Sequence, residues 1–146
     1  MKQFQIVYQN DEALIKELEE IQRWCAVNPS YTTLFRIYSN DMELEHIRHV
    51  CDLLDENMPD AMYLGCTTNA NMLNGAFIRA SITLTCTVFE YESTQVRVMQ
   101  FPFTEDNTDE TVGTLKAFCD TSLYTENTAA GGCVFLEKCF EKPDFM

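Results

Sequence analysis

Apolar residues recur along this chain with two periods, and the switches between them mark its elements. Phe4 to Tyr8 alternates weakly and predicts a first strand. Leu14, Leu18, Ile21 and Cys25 then follow at spacings of four, three and four, which places them on one face of a helix. Asn10 or Asp11 is the natural cap at its start. Asn28-Pro29 ends it, because the residue before proline avoids the α region. Trp24 is expected to pack at that helix end. Thr32 to Ser39 is β-rich and nearly continuous in apolar character, as buried strands are, and only Arg36 interrupts it. That charge needs a partner, a ligand carboxylate or an acid of the chain, or a stem that runs out to water. Ser39, Asn40 or Asp41 is placed to cap a second helix, and Asn40 with Glu43 has capping-box spacing. Leu44, Ile47, Cys51 and Leu54 predict its buried stripe.

Met58-Pro59-Asp60 stops that helix. Ala61 to Leu64 reads as a short buried strand, after which Gly65 allows a turn into a cluster of small polar residues, Cys66 to Asn74. Next, Ala80, Ile82, Leu84, Cys86 and Val88 alternate with Ser81, Thr83, Thr85 and Thr87. That is a long strand with one apolar and one hydroxyl face. Glu90 to Ser93 is short and polar, so Gln95 to Phe101 is expected to return as a hairpin. Asn107 or Thr108 is placed to cap a third helix with a stripe of Val112, Leu115, Phe118 and Cys119, and Gly132 to Leu136 reads as a last short strand. The predicted fold is α/β. It has a mixed sheet of about five to six strands in the order β-α-β-α-β, then an antiparallel hairpin, then α-β, with helices packed on the sheet. Residues 1–146 read as a single domain.

Composition narrows the partners. The net charge is −13, which repels phosphate backbones and anionic lipid, so neither nucleic acid nor a membrane surface is an expected partner. No run approaches the roughly 20 apolar residues of a membrane span. The seven cysteines are odd in number and contain no Cys-x-x-Cys pair. They fit neither a disulfide framework nor a zinc knuckle, and they suit a reducing cytoplasm. His46 and His49 stand one helical turn apart with Glu43 and Glu45 nearby, but no third ligand is evident and a solvated helix face is the plainer reading. No metal and no cofactor are expected. Phosphate-loop, Rossmann and Ser-His-Asp patterns do not occur.

The stretch after the third strand, Gly65-Cys66-Thr67-Thr68 with Gly75 further on and Met72 at an apolar position, resembles the N-terminal part of a FIST domain. That family consists of sensory modules of bacterial signalling proteins, and its motif runs Gly-Cys-Ser/Thr-Thr-Ala-Gly-Glu-Ile-x-x-Gly. Two positions depart from it: Ala70 stands for the motif glycine and Asn71 for the motif acid. The resemblance implies a non-catalytic domain that binds a small molecule, such as an amino acid or small carboxylate. It implies a downstream output domain, such as a diguanylate cyclase, a kinase or a chemoreceptor. It also implies that this chain is the N-terminal piece of a longer protein, because the second FIST region does not follow.

Ligands of open α/β sheets bind at the strands' carboxyl ends. The expected pocket there comprises Tyr38, Cys66, Thr67, Thr68, Asn69, Asn71 and Arg79. If the strand from Ala80 pairs antiparallel with Ala61–Leu64, Arg79 sits beside the Cys66 loop, where its planar fork suits a carboxylate. The plainer alternative is a surface arginine that offsets local acid. An enzyme using Cys66 as nucleophile, or a protein-interaction domain without a small ligand, are the other readings of the same residues.

Overall fold

The computed structural model describes residues 1–29, 32–40, 43–90 and 108–122, together with Thr94, Val96 and Val98. The chain divides into two compact units, Met1–Val98 and Met99–Met146. The first unit is α/β. It runs β1 (Lys2–Val7), α1 (Asp11–Val27), β2 (Thr32–Ser39), α2 (Leu44–Asn57), β3 (Met62–Thr67), β4 (Asn71–Leu73), β5 (Ala76–Ile78) and β6 (Ile82–Phe89). Its main sheet is mixed and has the order β1-β6-β2-β3, while β4 and β5 form a small antiparallel pair. The return strand expected at Gln95 to Phe101 and the one expected at Gly132 to Leu136 lie largely or wholly outside the described residues.

β1, β2 and β3 run in one direction. β6 runs against them and lies between β1 and β2, pairing antiparallel with both. Pairing of β6 with Ala61–Leu64 is therefore not what the sheet adopts. The reason lies in the side chains. Ile82, Leu84, Cys86 and Val88 are all buried, and so are Thr83 and Thr87 on the other face. Such a strand needs a neighbour on each side. β3, with Met62, Gly65 and Thr67 exposed, is suited to a less covered place and pairs with β2 alone among the described strands.

One face of the sheet carries both helices. Ile6, Phe35, Ile37, Ile82, Leu84, Cys86 and Val88 meet Leu14, Leu18 and Ile21 of α1 and Val50, Leu53 and Leu54 of α2 in one core. Two successive right-handed crossovers in the same direction put their helices on the same side. Asn10 caps α1 by accepting from the Ala13 amide at 2.9 Å. Trp24, near its end, is half-buried edge-on to Phe4, with ring centroids 6.0 Å apart.

α2 differs from expectation in two ways. It starts at Leu44 behind Glu43, without a side-chain capping hydrogen bond, so the Asn40–Glu43 box does not form. The Asn40 amide instead donates to the Ser81 carbonyl at 2.9 Å, which commits Asn40 to the strand ladder. The buried stripe is also turned by one residue. Val50, Leu53 and Leu54 are buried, whereas Leu44, Ile47 and Cys51 are half-buried. In the second unit α3 spans Thr108–Ser122. Val112, expected on its apolar stripe, is 51% exposed while Thr111 is buried. The side chains of Leu115, Phe118 and Cys119 lie outside the described residues.

Gly65 is not in a turn. β3 continues through it to Thr67, and the residue has another purpose. A Cβ there would stand 3.0 Å from the Ile37 carbonyl oxygen and 3.2 Å from the Ile37 Cβ. Glycine lets β3 lie close to β2. Gly65→Ala is expected to destabilise the unit by about 1 kcal/mol, the crowding outweighing the chain entropy that alanine removes. An unchanged denaturation midpoint would show that β3 shifts to accommodate the methyl group.

Candidate functional site

Strand alternation and register sort the expected residues. Tyr38 pairs with Cys66 on one side and with Thr83 on the other. All three belong to the second face of the sheet, opposite the helices. Ser39, one residue on, is buried and pairs with Thr67, so Thr67 belongs to the helix side. Tyr38 and Cys66 thus come together, and Thr67 does not join them.

The chain after β3 is pinned from both ends. The Thr68 amide donates to the Ser39 carbonyl at 2.7 Å, which carries the β2–β3 pairing one residue past the strand. The Thr68 hydroxyl donates to the Ala70 carbonyl at 2.8 Å and accepts from the Ala70 amide at 3.4 Å, so it shapes the local turn. Asn69 is exposed.

Asn71 is the best-anchored residue of the group. It is only 2% exposed. Its Nδ2 donates to the Ala80 carbonyl at 2.8 Å and to the Ser81 carbonyl at 3.2 Å, and its Oδ1 accepts from the Thr83 hydroxyl at 3.3 Å. The carboxamide therefore fastens the start of β4 to the start of β6. A carboxylate, as at the motif position, lacks the N–H donors for those two carbonyls. Asn71 acts here as a structural latch and holds Thr83 beside Tyr38.

Between the latched ends stands a hairpin that the periodicity did not reveal. β4 and β5 pair as Asn71 with Ile78, Met72 with Phe77 and Leu73 with Ala76. Asn74 and Gly75 both take positive φ, 51° and 80°, as a tight two-residue hairpin turn requires. The Asn-Gly pair was the signal for it. Gly75 of the motif is thus explained by backbone conformation. Arg79 follows the hairpin and is exposed, without an ion pair among the described residues. It stays at the carboxyl end of β2 because β6 begins there. The β6 pairing with Ala61–Leu64 that would set it beside the Cys66 loop does not form, while its neighbour Ile78 pairs with Asn71 within the Cys66–Asn74 segment.

The second face carries more polar chemistry than the expected pocket alone. Its rows read Val7–Thr83–Tyr38–Cys66, then Gln5–Thr85–Arg36–Leu64, then Gln3–Thr87–Leu34–Met62. Gln3 Nε2 reaches the Thr87 hydroxyl at 3.4 Å, and Arg36 Nη2 reaches the same oxygen at 3.5 Å. Arg36 Nε is buried without a hydrogen-bond partner. The expected pairing of Arg36 with an acid is not found among the described residues. A buried donor left unpaired costs about 1–3 kcal/mol, so this atom requires an explanation.

A second polar cluster lies at the helix side. Tyr8 Oη donates to Asp11 Oδ1 at 2.6 Å, and His49 Nε2 lies 2.9 Å from both Asp11 oxygens. These contacts tie the first turn of α1 to α2. The hydrogen bond to Asp11, with some burial, pushes the Tyr8 phenol up to about 12. The same bond, then that of His49, holds the Asp11 carboxyl below its ordinary value. A group with a depressed folded pKa stabilises above its unfolded pKa and loses that contribution as pH falls through the folded one. A carbon-detected NMR titration is expected to give Asp11 a midpoint below 3.8, rising in Tyr8→Phe. An unchanged midpoint in that variant would remove the phenol as the cause.

Tyr8 to Glu12 also line an open depression of about 550 Å³. Two acids on its rim and its width make it a poor seat for a small anion. His46 Nε2 stands 3.9 Å from Glu43. Among the described residues no three His, Cys, Asp or Glu side chains gather as a metal site, and no helix is long and apolar enough to cross a membrane. Comparison with protein-family models, with curated proteins and with solved structures finds no match.

Proposed function

We propose that this chain is a non-catalytic, small-ligand-binding sensory domain of the FIST kind, acting in the bacterial cytoplasm and passing its state to a signalling output domain. The observation that supports this reading best is how the motif residues Gly65, Cys66 and Thr68 are joined, with Asn71, where the chain departs from the motif, fastening the segment that follows. Gly65 brings β3 close to β2, Cys66 lies beside Tyr38, Thr68 shapes the turn, and Asn71 latches the Asn74-Gly75 hairpin to β6. A hairpin fastened by one carboxamide, beside a polar sheet face, is suited to shift between arrangements when a ligand favours one of them.

Binding fits these residues better than catalysis. The chain has two histidines, both on α2, which packs on the opposite side of the sheet from Cys66. A Cys-His dyad with Cys66 is therefore not supported. One observation favours protein contact as a second reading: Met72 and Phe77, cross-strand partners on the hairpin, are 55% and 76% exposed. An output domain docking there would fit both readings.

Hydrogen exchange tests the sensory role. A saturating amino acid or small metabolite is expected to slow amide exchange across residues 68–83 while leaving α1 unchanged. Binding that leaves exchange the same throughout would remove the sensory reading.

A further inference from the structure

We infer that the middle of the sheet's second face is a carboxylate site, in which the guanidinium of Arg36 receives a small monocarboxylate through its Nε and a neighbouring Nη. This rests on the ligand-binding reading above and gives its ligand an anchoring residue and a place on the sheet.

Arg36 lies in the middle of β2, an interior strand of the sheet, flanked across the strands by Thr85 and Leu64. Its Nε is buried and without a partner, and its one side-chain hydrogen bond among the described residues, from Nη2 to Thr87, is long at 3.5 Å. The chain has 23 acidic residues against 10 basic ones, so an acid would have been an abundant partner. The described strand residues of this face include none. They are Gln3, Gln5, Val7, the alternate positions 32–38 of β2, Met62, Leu64, Cys66 and the alternate positions 83–89 of β6. Arg36 is the one charged residue among them.

The chemistry follows from this arrangement. Nε–H and the N–H beside it on Nη point the same way and match the two oxygens of a carboxylate. The Thr85 hydroxyl, directly across from Arg36, forms no hydrogen bond among the described residues and can donate to one of those oxygens. Tyr38 and Gln5 supply neutral donors in the adjoining positions. One positive charge amid neutral donors balances one negative charge. The net charge of −13 disfavours polyanions such as nucleotides. No histidine or carboxylate stands in the row of Arg36 to activate the Thr85 hydroxyl, so the site suits holding a ligand rather than transforming it.

Proton–nitrogen NMR of the arginine Nε–Hε groups tests this on the full chain. The probes are acetate, L-lactate and L-alanine, with inorganic phosphate, chloride and a neutral sugar as controls at matched ionic strength. At least one carboxylate is expected to move the Arg36 Hε signal downfield and saturably, while phosphate and chloride do not. By calorimetry, Arg36→Lys, which keeps the charge but loses the fork, is expected to weaken that carboxylate about ten-fold or more, and Thr85→Val by several-fold. An Arg36 Hε signal unmoved by every carboxylate, or moved equally by phosphate, overturns the inference, as does unchanged affinity in a folded Arg36→Lys protein. If that variant fails to fold, the signal in the native chain decides alone. A neutral sugar that binds without moving Arg36 Hε would overturn the carboxylate site and leave the sensory reading standing. A carboxylate that binds Arg36 without altering hydrogen exchange would do the reverse.

Discussion

Asn71→Ala is expected to lower the stability of the Met1–Val98 unit by about 3 kcal/mol in denaturant unfolding, from three buried hydrogen bonds at roughly 1 kcal/mol each. The carboxamide is 2% exposed and bonds the Ala80 and Ser81 carbonyls and the Thr83 hydroxyl. Alanine leaves all three without that partner, and water does not readily replace it at so closed a position. Asn71→Asp separates the hydrogen bonds from the shape of the side chain. The carboxylate would face two carbonyl oxygens with no N–H to offer, so the folded state favours its protonated form and raises its pKa. Stability of that variant is then greatest below the ordinary carboxyl value of about 3.9 and falls as pH rises through the raised folded value. Asp11 has the opposite sign, because its folded pKa is depressed. Equal stability of native and Asn71→Asp chains at neutral pH would contradict the latch.

Phe35→Ala is expected to cost about 3–5 kcal/mol, the range for truncating a fully buried aromatic in a core that relaxes only in part. Phe35 is 0% exposed and sits between Cys86 and Tyr63 across the strands, under both helices. A domain of this size has roughly 5–15 kcal/mol in total, so the variant would be folded but marginal. Leu34→Ala, half-buried on the other face, is expected to cost less than half as much, because less area leaves water there. Equal losses at 34 and 35 would mean that the second face is packed as densely as the helix side.

Much of this fold was legible because its periods are clean. The bounds of β2 follow from the β-rich run Thr32–Ser39, with Thr32, Thr33, Phe35, Ile37 and Tyr38 in it, and the Asn10 cap and the Leu14–Leu18–Ile21 face of α1 stand as the spacing predicts. The alternation of β6 identified its two faces. Which strands it joins was not legible, since pairing depends on how much surface each neighbour buries and not on the period. The start of α2 moved because the Asn40 amide is taken by Ser81, a contact between residues far apart in sequence. For the same reason Gly65 looked like a turn residue. Its close neighbour, Ile37, becomes visible only once β2 and β3 are paired.

The candidate site was legible in part. Tyr38 and Cys66 were expected together and are register partners. Asn71 looked like a ligand contact because carboxamides suit polar ligands, but it spends its donors and acceptor on the chain itself. The hairpin it holds was signalled by Asn74-Gly75 and hidden by strands of three residues, too short for a period to show. Arg36 was visible as an interruption of β2. That it lies on a face whose described strand residues carry no acid required the register.

The most direct test of the account is a thermal-shift titration of the full chain with amino acids, small carboxylates and neutral sugars. A ligand bound only by the folded state stabilises it by about 2.7 kcal/mol at a hundred-fold excess over its dissociation constant. A saturable, concentration-dependent rise in Tm is expected for one class of small carboxylate, and a clearly smaller one at the same concentration in Arg36→Lys. A Tm unmoved by every compound, with the protein folded throughout, would contradict it.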